Sequence, residues 1–192
     1  MSILVAGLVL FLGVHSIRIV ADDWRTAQIA RLGERPWKLG YTVVSLVGFG
    51  LIIWGFGLAR ASTGMVWSPP AWTSPVAAAL LLPAFVLIVA GNMPGTKMKA
   101  ALGHPMTAGV GLWALGHLLA NGRLDAVLLF GAFVVWSAIA FATRRARDRA
   151  SGTRYPPGSL AKDTIAAVAG IAFALVFALF LHGPLIGLRP FG

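Results

Sequence analysis

Apolar residues fill six long stretches of this chain, and polar residues are confined to the breaks between them. The stretches are Ile3–Val20, Leu39–Ala59, Ser74–Asn92, His104–Asn121, Ala126–Thr143 and Thr164–Ile186. Each approaches the roughly 20 helical residues needed to cross a hydrocarbon core of about 30 Å. The pattern predicts an all-α, polytopic membrane protein: one transmembrane domain over residues 1–192, with about six helices in a bundle. Asp22 to Lys38 reads as a short interfacial helix, its end marked by Gly33 and Pro36. Asn92-Met93-Pro94-Gly95 is a turn signal, and Pro83 is expected to kink the third span.

Composition agrees, with 58% hydrophobic and 11% charged residues. Charge then sets the orientation. Of 16 basic residues, the loop after the first span carries Arg18, Arg25, Arg31, Arg35 and Lys38. The loop after the third carries Lys97 and Lys99, and the one after the fifth carries Arg144, Arg145, Arg147, Arg149, Arg154 and Lys162. Only Arg60, Arg123 and Arg189 fall on the opposite side. This positive-inside asymmetry predicts a multi-pass protein of the cell inner membrane with both termini periplasmic. It accounts for the net charge of +10 without a nucleic-acid partner. The lipid bilayer is the partner the sequence calls for. The first apolar run reads as a retained helix and not a cleaved signal.

The absence of cysteine excludes disulfides, thiolate catalysis and iron–sulfur clusters. None of the six acidic residues falls deep in a span, which argues against transport through buried carboxylates. There is no Ser–His–Asp set, no phosphate-binding glycine loop and no HExxH. Small residues such as Gly48, Gly55, Gly109 and Gly116 suit close helix packing, and would equally suit a slot for a flat cofactor.

Chemistry is left to four histidines, His15, His104, His117 and His182, each within or at the edge of an apolar stretch. Lipid supplies no hydrogen bond to a lone imidazole, so such a residue turns inward toward a partner or a task. His104 and His117 are separated by roughly 20 Å of helical rise and cannot grip one ion from opposite sides. Counted by rise, His15 is nearer in depth to His117 than to His104, which favours a His15/His117 pair. Two imidazoles without Cys or carboxylate suit haem, which takes one or two axial ligands, better than catalytic zinc, which takes three. Arg18 can pair with a haem propionate or snorkel to the interface. His182, beside Gly183-Pro184 near the outer boundary, reads as structural.

Gly13-Val14-His15-Ser16, Arg31-Leu32-Gly33-Glu34-Arg35-Pro36-Trp37 and Gly103-His104-Pro105-Met106 through Leu115-Gly116-His117 to Gly122 resemble the NnrU family of membrane proteins. The resemblance covers nearly the whole chain. It implies a link to denitrification, where the family is associated with expression of nitrite and nitric oxide reductases. The scaffold is also similar to 15-cis-zeta-carotene isomerase, a membrane enzyme containing haem b. That similarity implies His15 and His117 as axial (metal) ligands, with His104 a further family position at the cofactor site and no assigned ligand role. In such a site Arg18 or Lys99 would be the propionate partners. It implies, if the protein is catalytic, a haem-dependent cis–trans isomerase acting on a polyene or isoprenoid. Gly103 stands where the isomerase has arginine. The alternatives are a non-enzymatic accessory factor of nitrogen-oxide reductases and a membrane S-adenosylmethionine-dependent methyltransferase, whose Arg-His-Pro helix is similar.

Overall fold

The computed structural model describes residues 1–188 and is helical almost throughout. Arg189, expected from the sequence on the outer side, lies outside the described residues. The helices are α1 (Ser2–Val20), α2 (Asp22–Leu32), α3 (Glu34–Arg60), α4 (Thr73–Asn92), α5 (Lys97–Leu102), α6 (Pro105–Ala120), α7 (Leu124–Ala150), α8 (Leu160–Val176) and α9 (His182–Ile186). A π-helical turn, Phe177–Leu181, joins α8 to α9. Two compact units result, one over Met1–Thr63 and one from Gly64 onward.

In the first unit α1 and α3 run antiparallel with their backbones nearly touching. A methyl group on Gly7 would lie 2.6 Å from the Ile52 nitrogen, and one on Gly48 would lie 2.8 Å from the Phe11 nitrogen. Gly55 meets Leu4 in the same way. Without a solvent-driven hydrophobic force between spans, such close van der Waals contact is what holds lipid-embedded helices together. The glycines of these spans therefore serve packing at each of these crossings.

The second unit is organised around α4. Gly91 and Gly109 bring α6 antiparallel against it: a methyl on Gly109 would lie 2.6 Å from the Ala84 carbonyl oxygen. Gly170 brings α8 against Val86 and Phe85 of α4. On its other side α6 packs on α7, with Gly111 facing Ser137. At one end of this unit Val66 donates to the Gly122 carbonyl at 2.7 Å and Leu124 to that of Gly64 at 3.1 Å. At the other end Ser159 donates to Gly95 at 3.0 Å, and Lys162 Nζ to the Pro94 carbonyl at 3.0 Å.

Among the described residues, five helices are long and apolar enough to span a membrane: α1, α3, α4, α7 and the continuous stretch Leu160–Ile186. The sixth predicted span is α6, of 16 residues, about 24 Å at 1.5 Å per residue. It is short against a core of about 30 Å, a mismatch that local thinning or neighbouring helices accommodate. Val9, Leu46, Val168 and Phe180 are more than 60% exposed on the helix surfaces, the positions lipid would cover. Pro83 lies inside α4, as expected. The interfacial helix is shorter than its pattern suggested: it ends at Gly33, whose φ of 86° only glycine adopts freely, and Pro36 and Lys38 belong to α3.

Candidate functional site

His15 sits on α1 in the first unit. Its Nδ1 lies 2.6 Å from the Phe11 carbonyl, one turn back on the same helix, and a carbonyl can only accept. Nδ1 therefore carries the proton and the metal-ligating lone pair belongs to Nε2. Phe11 stacks on the ring at 4.2 Å between centroids, and Tyr41 of α3 stands 5.2 Å away. Arg18, one turn further along, faces Asp22 at 3.6 Å. Toward that end of the unit an apolar cavity of about 280 Å³ opens between Val14, Ile17, Leu32, Pro36, Trp37, Gly40, Tyr41 and Val44.

His117, on α6 in the second unit, repeats the arrangement. Nδ1 lies 2.9 Å from the Trp113 carbonyl, so Nε2 again carries the lone pair. Phe130 of α7 stacks on the imidazole at 4.6 Å, and Trp113 stands 5.1 Å away. Asn121 donates to the His117 carbonyl at 2.8 Å, which ties down the end of the helix. The recurrence has a simple cause: an aromatic residue four positions before histidine lies on the same helix face and limits the rotamers of the ring.

His182, which reads as structural in the sequence, is brought beside His117. The two ring centroids are 6.5 Å apart with planes 11° from parallel. Its Nδ1 lies 2.7 Å from the Leu188 carbonyl, so this imidazole too is held through Nδ1.

His104 belongs to a different cluster. It precedes α6 as the N-terminal capping residue, and its Nε2 lies 2.9 Å from Asp148 Oδ2 near the end of α7. The Tyr155 hydroxyl donates to the same carboxylate oxygen at 2.8 Å and stands 3.3 Å from the histidine nitrogen. Arg144 donates to Thr107 Oγ1 at 3.2 Å beside this group. Gly103 takes a φ of 73°, and a methyl there would lie 2.9 Å from Tyr155 and 3.1 Å from Arg145. Glycine at this position thus leaves room for the cluster to close. Lys99 donates through Nζ to the Gly91 carbonyl at 3.2 Å, a cation at the end of α4 where the helix dipole favours it.

Asp148 and Tyr155 were missed by the sequence reading. Asp148 is the only acidic residue between Arg144 and Lys162, and that isolation in a basic segment was the available signal. Removal of the carboxylate by Asp148→Ala leaves two half-buried partners without their acceptor. It is expected to destabilise the second unit by about 1–3 kcal/mol, read from unfolding in detergent. Burial, then the hydrogen bond to Asp148, raises the Tyr155 phenol above the ordinary tyrosine value. The folded chain therefore holds this proton more tightly than the unfolded one. Stability is expected to fall as pH rises past about 10, and Tyr155→Phe to flatten that decline in a pH series of melting curves.

Among the described residues no group of three or more His, Asp or Glu side chains is placed to hold a metal ion. The donor sets are single imidazoles or pairs of them. The family profile described as NnrU protein matches residues 3–190. The chain belongs to the NnrU family. No curated protein and no solved structure matches it. Family membership agrees with the multi-pass helical architecture, and it spans both compact units.

Proposed function

We propose that this NnrU family member is an inner-membrane protein that binds haem b through His117 and serves redox-linked chemistry in the bilayer. The observation that carries this reading is the setting of His117: Nδ1 against the Trp113 carbonyl, Phe130 on one ring face, and Nε2 as ligating atom. A hydrogen bond on the far nitrogen is what fixes the tautomer and basicity of a metal-ligating histidine. Two imidazole donors suit haem, whose macrocycle supplies the remaining ligands, and fall short of a zinc site.

The resemblance names His15 as the second axial ligand, and His15 has the same hydrogen bond to the carbonyl four residues back. Arg18 and Lys99 are the cations proposed for the propionates. The amine of Lys99 also serves the end of α4, so its loss would cost helix stability as well. The basic loops would face the cytoplasm and the termini the periplasm.

When bound, haem would supply one-electron redox chemistry and a Lewis-acidic iron, held by these imidazoles. The residues hold the rings, exclude water and provide apolar surroundings. Two uses fit such a site: cis–trans isomerisation of a polyene or isoprenoid, and support of nitrite and nitric oxide reductases. The test is the visible spectrum of the detergent-purified protein, oxidised and reduced. A low-spin haem spectrum supports the reading, and colourless protein that takes up no added hemin overturns it. Conversion of a cis-polyene by the haem-loaded protein then separates the two uses.

A further inference from the structure

We infer that His182 is a metal-ligating residue, forming with His117 a two-imidazole site for haem iron inside the second unit. This rests on the haem reading above and changes the identity of the second ligand.

Three observations point to it. The first is distance. With metal–nitrogen bonds of about 2 Å and about 1 Å from each nitrogen to its ring centre, an ion gripped between two imidazoles sets their centres about 6 Å apart. The His117 and His182 centroids are 6.5 Å apart, and their planes are nearly parallel. Two rings in plain van der Waals stacking would come closer, as Phe130 does against His117 at 4.6 Å.

The second is tautomer. His182 Nδ1 lies 2.7 Å from the Leu188 carbonyl and His117 Nδ1 lies 2.9 Å from the Trp113 carbonyl. Both rings therefore offer Nε2, the atom a shared ion needs from each.

The third is backbone. A π-helical turn, Phe177–Leu181, immediately precedes His182. Such a turn adds a residue to the helical repeat and rotates everything beyond it, and its wider hydrogen-bonding register is rarely kept without cause. Here it decides which face of the helix His182 occupies. Phe177 stands edge-on to the His182 ring at 5.9 Å. Gly183-Pro184 follows, where proline has no N–H to leave unsatisfied. The neighbours named are aromatic and apolar, so the pair offers nitrogen donors without a carboxylate.

The test uses the full-length chain, purified in detergent and loaded with hemin. Wild type is expected to show a six-coordinate, low-spin spectrum. His182→Ala should retain haem but turn high-spin, and added imidazole should restore the low-spin bands. His182→Met should stay low-spin with a raised reduction potential, because thioether ligation favours the reduced iron. His15→Ala should leave the low-spin spectrum in place. Low-spin haem that survives His182→Ala and is lost in His15→Ala overturns the inference and leaves the haem reading standing. Wild type that binds no hemin overturns the haem reading itself. Circular dichroism and gel filtration of His182→Met check that the fold persists, so its potential shift stands even where His182→Ala is unstable.

Discussion

Replacing His117 with alanine is expected to abolish haem binding. His117 is the ligand on which the proposed function rests, and it is also one half of the inferred His117–His182 pair. Changing only the hydrogen-bond partner of a metal-bound histidine costs about 10–100-fold in metal affinity, so removing the ligand itself is expected to exceed about 100-fold. The haem-to-protein ratio after purification, measured as the pyridine haemochrome, reads this directly. His104→Ala is the control. His104 pairs with Asp148 at the opposite end of α6, so haem content should hold while thermal stability drops. Unchanged haem content in His117→Ala would remove the basis of the proposed function.

Gly170→Leu is expected to be the most damaging packing change. A β-carbon at this position would stand 2.6 Å from Val86 Cα and 2.7 Å from the Val86 nitrogen. Backbone atoms cannot swing aside, so α8 must lift from α4. Lifting it breaks the edge-on contact of Phe85 with Phe173, at 5.3 Å. Overpacking of a closed core costs about 1–3 kcal/mol, and a backbone clash belongs at or above the top of that range. The melting temperature in detergent should fall steeply. The low-spin spectrum should weaken with it, because His182 rides on the far end of the same continuous helix. Gly131→Ala is the contrast: nothing lies within 4 Å of the added methyl. Helix propensity alone then favours alanine, by up to about 1 kcal/mol.

Hydropathy carried the architecture because lipid imposes it. A run such as Leu39–Ala59 has no other environment that satisfies both its side chains and its backbone. Polar extensions carry no such mark. The α3 and α7 helices each continue to 27 residues, beyond the apolar stretches that announced them. The short α5 was not anticipated at all. The four histidines stood out in the sequence, but the side chains they meet were not legible. Asp148 and His104 meet only because α6 and α7 fold back on each other, and no local spacing encodes that. Depth counting, which favoured His15 for His117, could not bring out the neighbouring of His117 and His182, because it assumes that every span starts from one level. Thr96, at the start of α5, instead pairs with Ser159 at the start of α8, before α6 begins. Equal residue counts along α6 and α8 therefore do not mean equal height. The π-turn shifts the rotation again, and hydrogen-bonding register leaves no trace in an apolar pattern.

The contacts that tie Pro94 and Met98 to Lys162 and Asp163 also bear on how the protein is made. A ribosome finishes α4 and the turn after it long before Asp163 emerges. Until then the flank of α4 at Val86 has no helix to cover it, and the turn has no anchor. The second unit is therefore completed late in synthesis, when the last span enters the bilayer and is caught by a loop already waiting there. Chains released early, before Ser159, would keep that flank open to lipid.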